Sequence, residues 1–314
     1  MTTMIETRHL TRRFKKTVAV DELNLAIGEG ELFGFIGPNG AGKTTTIQML
    51  ATLLRPTSGE AFIAGLPLAG RAQEVRRLIG YMPDAPTAYE DLTVREYLEF
   101  FAAAYGIHGA ERKKVVDEVI ALADLGEKVD SLVESLSRGT QQRLGLARVL
   151  IHDPQVLLLD EPASGLDPRA RIEIREILKE LRKLGKTILI SSHILSDLAE
   201  ICTTVGIIER GKLVTSGDVA DIIRAARAHH VVTVGLEDRL DEARELLAGC
   251  GFVDEVGGDG DDDHRLTVRL RDGEHGPADV ARLLVGAGLR LSHLEEATGG
   301  LEEAFMTLTK GIVS

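Results

Sequence analysis

Cysteine is nearly missing from this chain of 314 residues: Cys202 and Cys250 are the only two, too few for a disulfide framework or a cysteine-built metal site. No apolar run reaches the roughly 18 residues that would suggest a membrane-spanning helix. Met1-Thr2-Thr3-Met4-Ile5-Glu6 has no basic stretch leading into an apolar one, so it does not read as a secretory leader. Positive charge is also short. The net charge is −12, and the deficit falls late: His229 to Ser314 holds 18 Asp and Glu against 8 Lys and Arg, while the preceding 228 residues hold 31 against 29. So acidic a tail argues against nucleic acid as the main partner. No internal repeat is evident. So few cysteines fit a protein of a reducing cytoplasm.

An apolar content of 44% and a charged content of 27% suit a globular protein, and the length suggests two domains. The chain is organised around Gly37-Pro38-Asn39-Gly40-Ala41-Gly42-Lys43-Thr44, a Gly-x-x-x-x-Gly-Lys-Thr phosphate-loop pattern. Glu31 to Ile36 reads as a short buried strand before it, and Thr45 to Leu50 as the start of a helix after it. The glycines let backbone N–H groups turn toward phosphate oxygens, where a side chain would block approach. The helix N-terminus adds partial positive charge. Lys43 can reach β- and γ-phosphates, and the Thr44 hydroxyl can ligate Mg²⁺. The bland alternative, a glycine-rich turn that binds nothing, is disfavoured by this strand–loop–helix setting.

Upstream, Ile5 to Leu10 and Asp21 to Ile27 read as strands, separated by a basic turn carrying Phe14. Core packing is the usual fate of such a Phe; its place ahead of a phosphate loop makes stacking on an adenine the competing reading. From about residue 84 to 150 the strands give way to helical spacing, which suggests a helical insert. Ser137 suits the N-cap of a helix within it. Val156 to Leu159 reads as a buried parallel strand, followed by Asp160 and Glu161 where open α/β sheets bind ligands. Asp160 can hold Mg²⁺, and Glu161 can orient or deprotonate a water. Asp167 and Pro168 begin another helix, and His193 lies just past the strand Thr187 to Ser192. After Val231 the order is β-α-β-β-α-β, the ferredoxin-like pattern, with a final helix expected over Leu301 to Leu308. Between two of its strands, Gly257 to Asp263 reads as an acidic loop. It is no EF-hand, since His264 and Leu270 stand where that motif needs Gly and Glu.

Taken together, these motifs resemble the ATP-binding-cassette (ABC) ATPases over roughly Ile5 to Ala228. Phe14 matches the adenine-stacking aromatic. Gly37, Pro38, Asn39, Gly40, Ala41, Gly42, Lys43 and Thr44 match the Walker A loop, with Thr45 beside it. Leu136 to Thr140 match the signature, Val156 to Glu161 Walker B, Ser164 to Asp167 the D-loop, and His193 the switch histidine. Two departures stand out. Asp84 replaces the usual Q-loop glutamine, and the signature reads Leu-Ser-Arg-Gly-Thr.

The resemblance implies an α/β P-loop NTPase cassette at residues 1–228 with a helical subdomain, and a small α+β ferredoxin-like accessory domain at 229–314. It implies Mg²⁺-dependent ATP hydrolysis, with Thr44, Asp160 and Asp84 toward the metal and Lys43, Glu161 and His193 toward the reaction. Ser137 and Gly139 would contact ATP held by a second copy in a head-to-tail dimer. The extra domain, ending in Leu301-Glu302-Glu303-Ala304-Phe305, makes the chain similar to the ABC-2-type exporter ATPases of the daunorubicin-resistance group. That implies a separate integral-membrane permease and a place on the inner face of the cell membrane. A soluble ABC ATPase acting on ribosomes or DNA is the rival; such proteins usually carry paired cassettes or long coiled coils, and this chain has neither.

Overall fold

The computed structural model describes residues 2–84, 91–226, 231–259, 262–271 and 275–296. They form two compact units, Met1–Val219 and Ala220–Ser314, a division somewhat earlier than the expected break after Ala228. The final helix expected over Leu301 to Leu308 lies outside the described residues.

The first unit begins with β1 (Thr3–Phe14), β2 (Thr17–Gly28), β3 (Leu32–Ile36), α1 (Lys43–Leu50), β4 (Ser58–Ile63), β5 (Leu66–Pro67), α2 (Leu68–Leu78) and β6 (Ile79–Met82). Next come α3 (Val94–Ala104), α4 (Gly109–Leu122), α5 (Arg138–Leu150), β7 (Val156–Asp160), α6 (Pro168–Lys183), β8 (Thr187–Ser192), α7 (Leu195–Ile201), β9 (Thr204–Glu209) and β10 (Lys212–Asp218). A six-stranded sheet has the order β10-β9-β3-β8-β7-β6, and a four-stranded antiparallel sheet the order β2-β1-β4-β5. In the larger sheet only the β9–β10 hairpin is antiparallel. Every residue of β3, β7 and β8 is buried, as expected for strands covered on both faces.

The helical insert is present as α3, α4 and α5. Thr93 starts α3 with a reciprocal cap: its hydroxyl accepts from the Glu96 amide and its own amide donates to the Glu96 carboxylate. Val94, Tyr97, Leu98 and Ala102 then make the buried face.

The second unit holds β11 (Val231–Leu236), α9 (Leu240–Ala248), β12 (Val253–Asp259), β13 (Asp262–Leu270), α10 (Pro277–Gly286) and β14 (Leu291–Glu296), after α8 (Val219–Ala226) at the boundary. The β-α-β-β-α-β order is therefore present, in an antiparallel sheet ordered β12-β13-β11-β14. The unit has a core of its own, including Val232, Val234, Leu247, Val268 and Leu284.

Two segments differ from the sequence expectation. The basic turn is mostly strand: Arg12, Arg13 and Phe14 pair with Val20, Val18 and Thr17, leaving only Lys15 and Lys16 as the turn. Irregular register along β1 breaks the alternation by which a strand is read. The acidic loop is also largely paired, with β12 reaching Asp259 and β13 starting at Asp262.

Candidate functional site

Parallel pairing sets Ile36 opposite Ser192, Asp160 opposite Ser191 and Met82 opposite Leu159. The chain therefore leaves β3, β8, β7 and β6 along one edge, where open α/β sheets bind ligands. Four loops meet there: residues 37–42, the turn starting at Glu161, His193, and Asp84. They enclose a cavity of about 320 Å³ lined by Pro38 to Thr45, Asp84, Glu161, Ser164 and His193, with Ala19 from β2.

The first loop has no room for side chains at two positions. A Cβ on Gly37 would stand 2.3 Å from the Ile208 carbonyl, and one on Gly42 2.4 Å from the Ala19 carbonyl, with Gly42 at φ +111°. Gly42 caps α1 without a side-chain acceptor, so the loop and the first turn of α1 form a backbone cradle suited to an anion. Lys43, only 5% exposed, donates to the carbonyls of Gly37 (2.6 Å) and Pro38 (3.3 Å).

One carboxylate pairs with this cation. Glu161 Oε1 lies 3.3 Å from Lys43 Nζ, and Glu161 Oε2 lies 2.7 Å from His193 Nδ1. Glu161 sits in the left-handed region at φ +50°, a strained conformation for a side-chain-bearing residue. The Ser191 hydroxyl accepts from its amide at 3.0 Å, and its carbonyl accepts from the Ser164 amide at 3.0 Å. The same Ser191 hydroxyl donates to Asp160 Oδ1 at 2.7 Å, and Thr44 Oγ1 donates to that oxygen at 3.1 Å.

Burial pushes the Asp160 carboxyl above its usual range; the Ser191 and Thr44 hydroxyls oppose the shift, while Glu161 and Asp84 add to it. A buried carboxylate beside two others is short of positive charge. Paired with a hydroxyl, it offers the hard oxygens that Mg²⁺ prefers. Among the described residues no cluster of three His, Cys, Asp or Glu could hold a metal. Thr44 and Asp160 instead fit an ion that takes its other ligands from phosphate and water.

Asp84 is exposed on the cavity wall, and its backbone carbonyl accepts from Gln142 of α5 at 3.1 Å. Phe14 stands apart from this wall. It is 43% exposed at the end of β1, with the Arg12 guanidinium 4.4 Å over its ring. Ser137 and Gly139 do not line the cavity either. Ser137 caps α5, accepting from the Thr140 amide at 3.3 Å. A Cβ on Gly139 would come within 2.8 Å of the Ala170 Cβ, so glycine lets the starts of α5 and α6 close together.

Ser191 is the site residue that the sequence reading passed over. Its only signal is a polar end to an otherwise apolar strand; the pairing with β7 is what brings it to Asp160.

Residues 20–164 match the family model described as ABC transporter. Over 98% of its length the chain is 34% identical to the uncharacterized ABC transporter ATP-binding protein YhcH of Bacillus subtilis, covering 97% of that protein. It is equally 34% identical to Nod factor export ATP-binding protein I of Cupriavidus metallidurans, over 98% of both chains. The bacitracin transport ATP-binding protein BcrA of Bacillus licheniformis is 44% identical over 68% of this chain and 69% of its own. Among solved structures, an ATP-binding subunit of an ABC transporter superposes with a TM-score of 0.64 at 31% identity, over 71% of this chain and 93% of that one. The dimeric post-hydrolysis cassette MJ0796 bound to ADP and Pi superposes with a TM-score of 0.62 at 27% identity, over 68% of this chain and 98% of that one.

Proposed function

Because the chain belongs to the ABC transporter ATP-binding proteins, and so is the ATP-binding, ATP-hydrolysing subunit of a transporter, we propose that it powers an ABC-2-type exporter. The permease is a separate membrane protein, and this chain works on the cytoplasmic side as a head-to-tail dimer. The names of relatives matched over nearly all of their length support the outward direction, since they include Nod factor export proteins. No helix among the described residues is long and apolar enough to cross a membrane.

The observation that carries the hydrolytic reading is the position of Glu161, held between Lys43 and His193 beside the Thr44–Asp160 pair. ATP phosphates enter the cradle of residues 37–44, and Lys43 turns from the Gly37 and Pro38 carbonyls to the β- and γ-phosphates. Glu161 accepts the proton of the attacking water, and His193 holds Glu161 and the γ-phosphate in register. The reaction is in-line attack at phosphorus, so positioning and charge neutralisation carry most of the acceleration. Thr44 and Asp160 would hold Mg²⁺, which would supply neutralising positive charge. Phe14 stacks on the adenine, Ser137 and Gly139 contact the partner's ATP, and Asp84 senses nucleotide at the root of the helical insert.

The test is affinity purification of the chain from detergent-solubilised membranes of its own cells. The expected result is a stable complex whose ATPase responds to transported cargo. Recovery with ribosomes or DNA, and no membrane partner, would overturn the proposal in favour of a non-transport ATPase.

A further inference from the structure

Two loops aim the proposed hydrolytic pair. The turn that starts at Glu161 runs into α6, and the loop that starts at His193 runs into α7. Four charged side chains join those helices. Arg171 and Arg175 lie four residues apart on α6 and so share one face. Arg171 Nε donates at 3.0 Å to the carbonyl of Leu166, just past the Glu161 turn. Arg171 Nη1 also lies 4.0 Å from Asp197 Oδ2 on α7. Arg175 Nη1 lies 3.3 Å from Asp197 Oδ1 and 2.7 Å from Glu200 Oε2.

Asp197 is 9% exposed, and its Oδ2 is buried without a hydrogen bond. As a device for stability alone this is poor chemistry. Desolvation offsets much of a buried ion pair, and an oxygen left without a bond adds a further cost. What the carboxylate does achieve is to pair with both arginines of α6, one of which bonds the Leu166 carbonyl beyond the Glu161 turn. Glu161 has a strained backbone, which persists only where its surroundings hold it.

We propose that Asp197 is a positioning residue for ATP hydrolysis. Through Arg171 and the Leu166 carbonyl it fixes the turn that aims Glu161. Through α7 it fixes the loop that aims His193. The 2.7 Å contact between Glu161 and His193 thereby keeps its spacing while the cavity fills and empties. This inference rests on the role proposed above for Glu161.

The experiment measures kcat and ATP affinity separately on the full chain, for Asp197→Asn, Arg171→Gln and the pair, each with and without Glu161→Gln. Misplacement of a reacting group by a fraction of an ångström to an ångström costs about 10- to 100-fold in rate. Each single variant is therefore expected to lose about 10- to 100-fold in kcat with ATP affinity unchanged. The pair should be no slower than the slower single variant, as for residues acting in one unit. With Glu161→Gln present, neither substitution should slow the residual rate further. Normal kcat in Arg171→Gln, multiplying losses in the pair, or an undiminished loss in the Glu161→Gln background would each overturn the proposal. Arg171 has a side chain 32% exposed, so its variant decides the matter if Asp197→Asn does not fold. Wild-type turnover by Glu161→Gln alone would sink the role of Glu161 itself; slow turnover there with normal Arg171→Gln would sink only this inference.

Discussion

Replacing Ser191 by alanine removes one oxygen and two hydrogen bonds from a place closed to solvent. Ser191 is 0% exposed, donates to Asp160 Oδ1 at 2.7 Å and accepts from the Glu161 amide at 3.0 Å. A bond to a charged acceptor contributes about 1.5–3 kcal/mol and a neutral one about 0.5–1.5. The expected loss is about 2–4 kcal/mol, a large part of a typical folding stability of about 5–15. The loss carries a pH signature. Asp160 already has a raised pKa because burial disfavours its charge, and loss of the Ser191 bond raises it further. A carboxylate with a raised folded pKa destabilises the fold when ionised, and that penalty fades as pH falls through the folded value. The gap between Ser191→Ala and wild type should therefore be widest near pH 7 and narrower near about pH 5. The chain contains no Trp, so urea unfolding followed by circular dichroism is the suitable assay. A gap below about 0.5 kcal/mol at both pH values, the size of an ordinary surface change, would refute the claim that Ser191 holds Asp160.

Asp84→Asn should leave ATP affinity within a few-fold while uncoupling transport from hydrolysis, measured by nucleotide titration and by transport in vesicles containing the complex. A large loss of Mg²⁺-ATP affinity would instead assign Asp84 a direct metal contact. A chain ending at Ala228 should fold and bind ATP as the full chain does, by titration. Among the described residues, the core beneath the phosphate loop, including Ile5, Phe35, Ile47, Leu158 and Ile208, is built from the first unit's own side chains; an unfolded or nucleotide-blind truncation would contradict this.

Much of the fold was legible because it is written in short-range chemistry. A run such as Val156 to Leu159 has no solvent-facing alternation, which marks a strand covered on both sides. Asp167 before Pro168 announces the start of α6, and the Asp167 carboxylate does accept from the Ala170 amide at 3.0 Å. The phosphate loop was legible for the same reason, since its glycines answer to close backbone contacts. What escaped the reading depends on partners far along the chain. Ser191 meets Asp160 only through strand register, and the pairing of Arg12 to Phe14 with β2 follows irregularities that hide its period. Asp197 is similar: nothing local separates it from a surface carboxylate on an exposed turn of helix, and only the packing of α7 beside α6 brings it to Arg171 and Arg175.

The most direct test of the hydrolytic account is single-turnover ATP hydrolysis by Glu161→Gln, with the assembly state followed by sedimentation. Glutamine keeps the shape and can still accept from Lys43, but it cannot take a proton from water. The account expects ATP binding to persist, hydrolysis to fall by about 10²–10⁴-fold, the usual weight of a general base, and an ATP-bound dimer to accumulate. Hydrolysis at the wild-type rate would contradict it, and would remove Glu161 from the reaction.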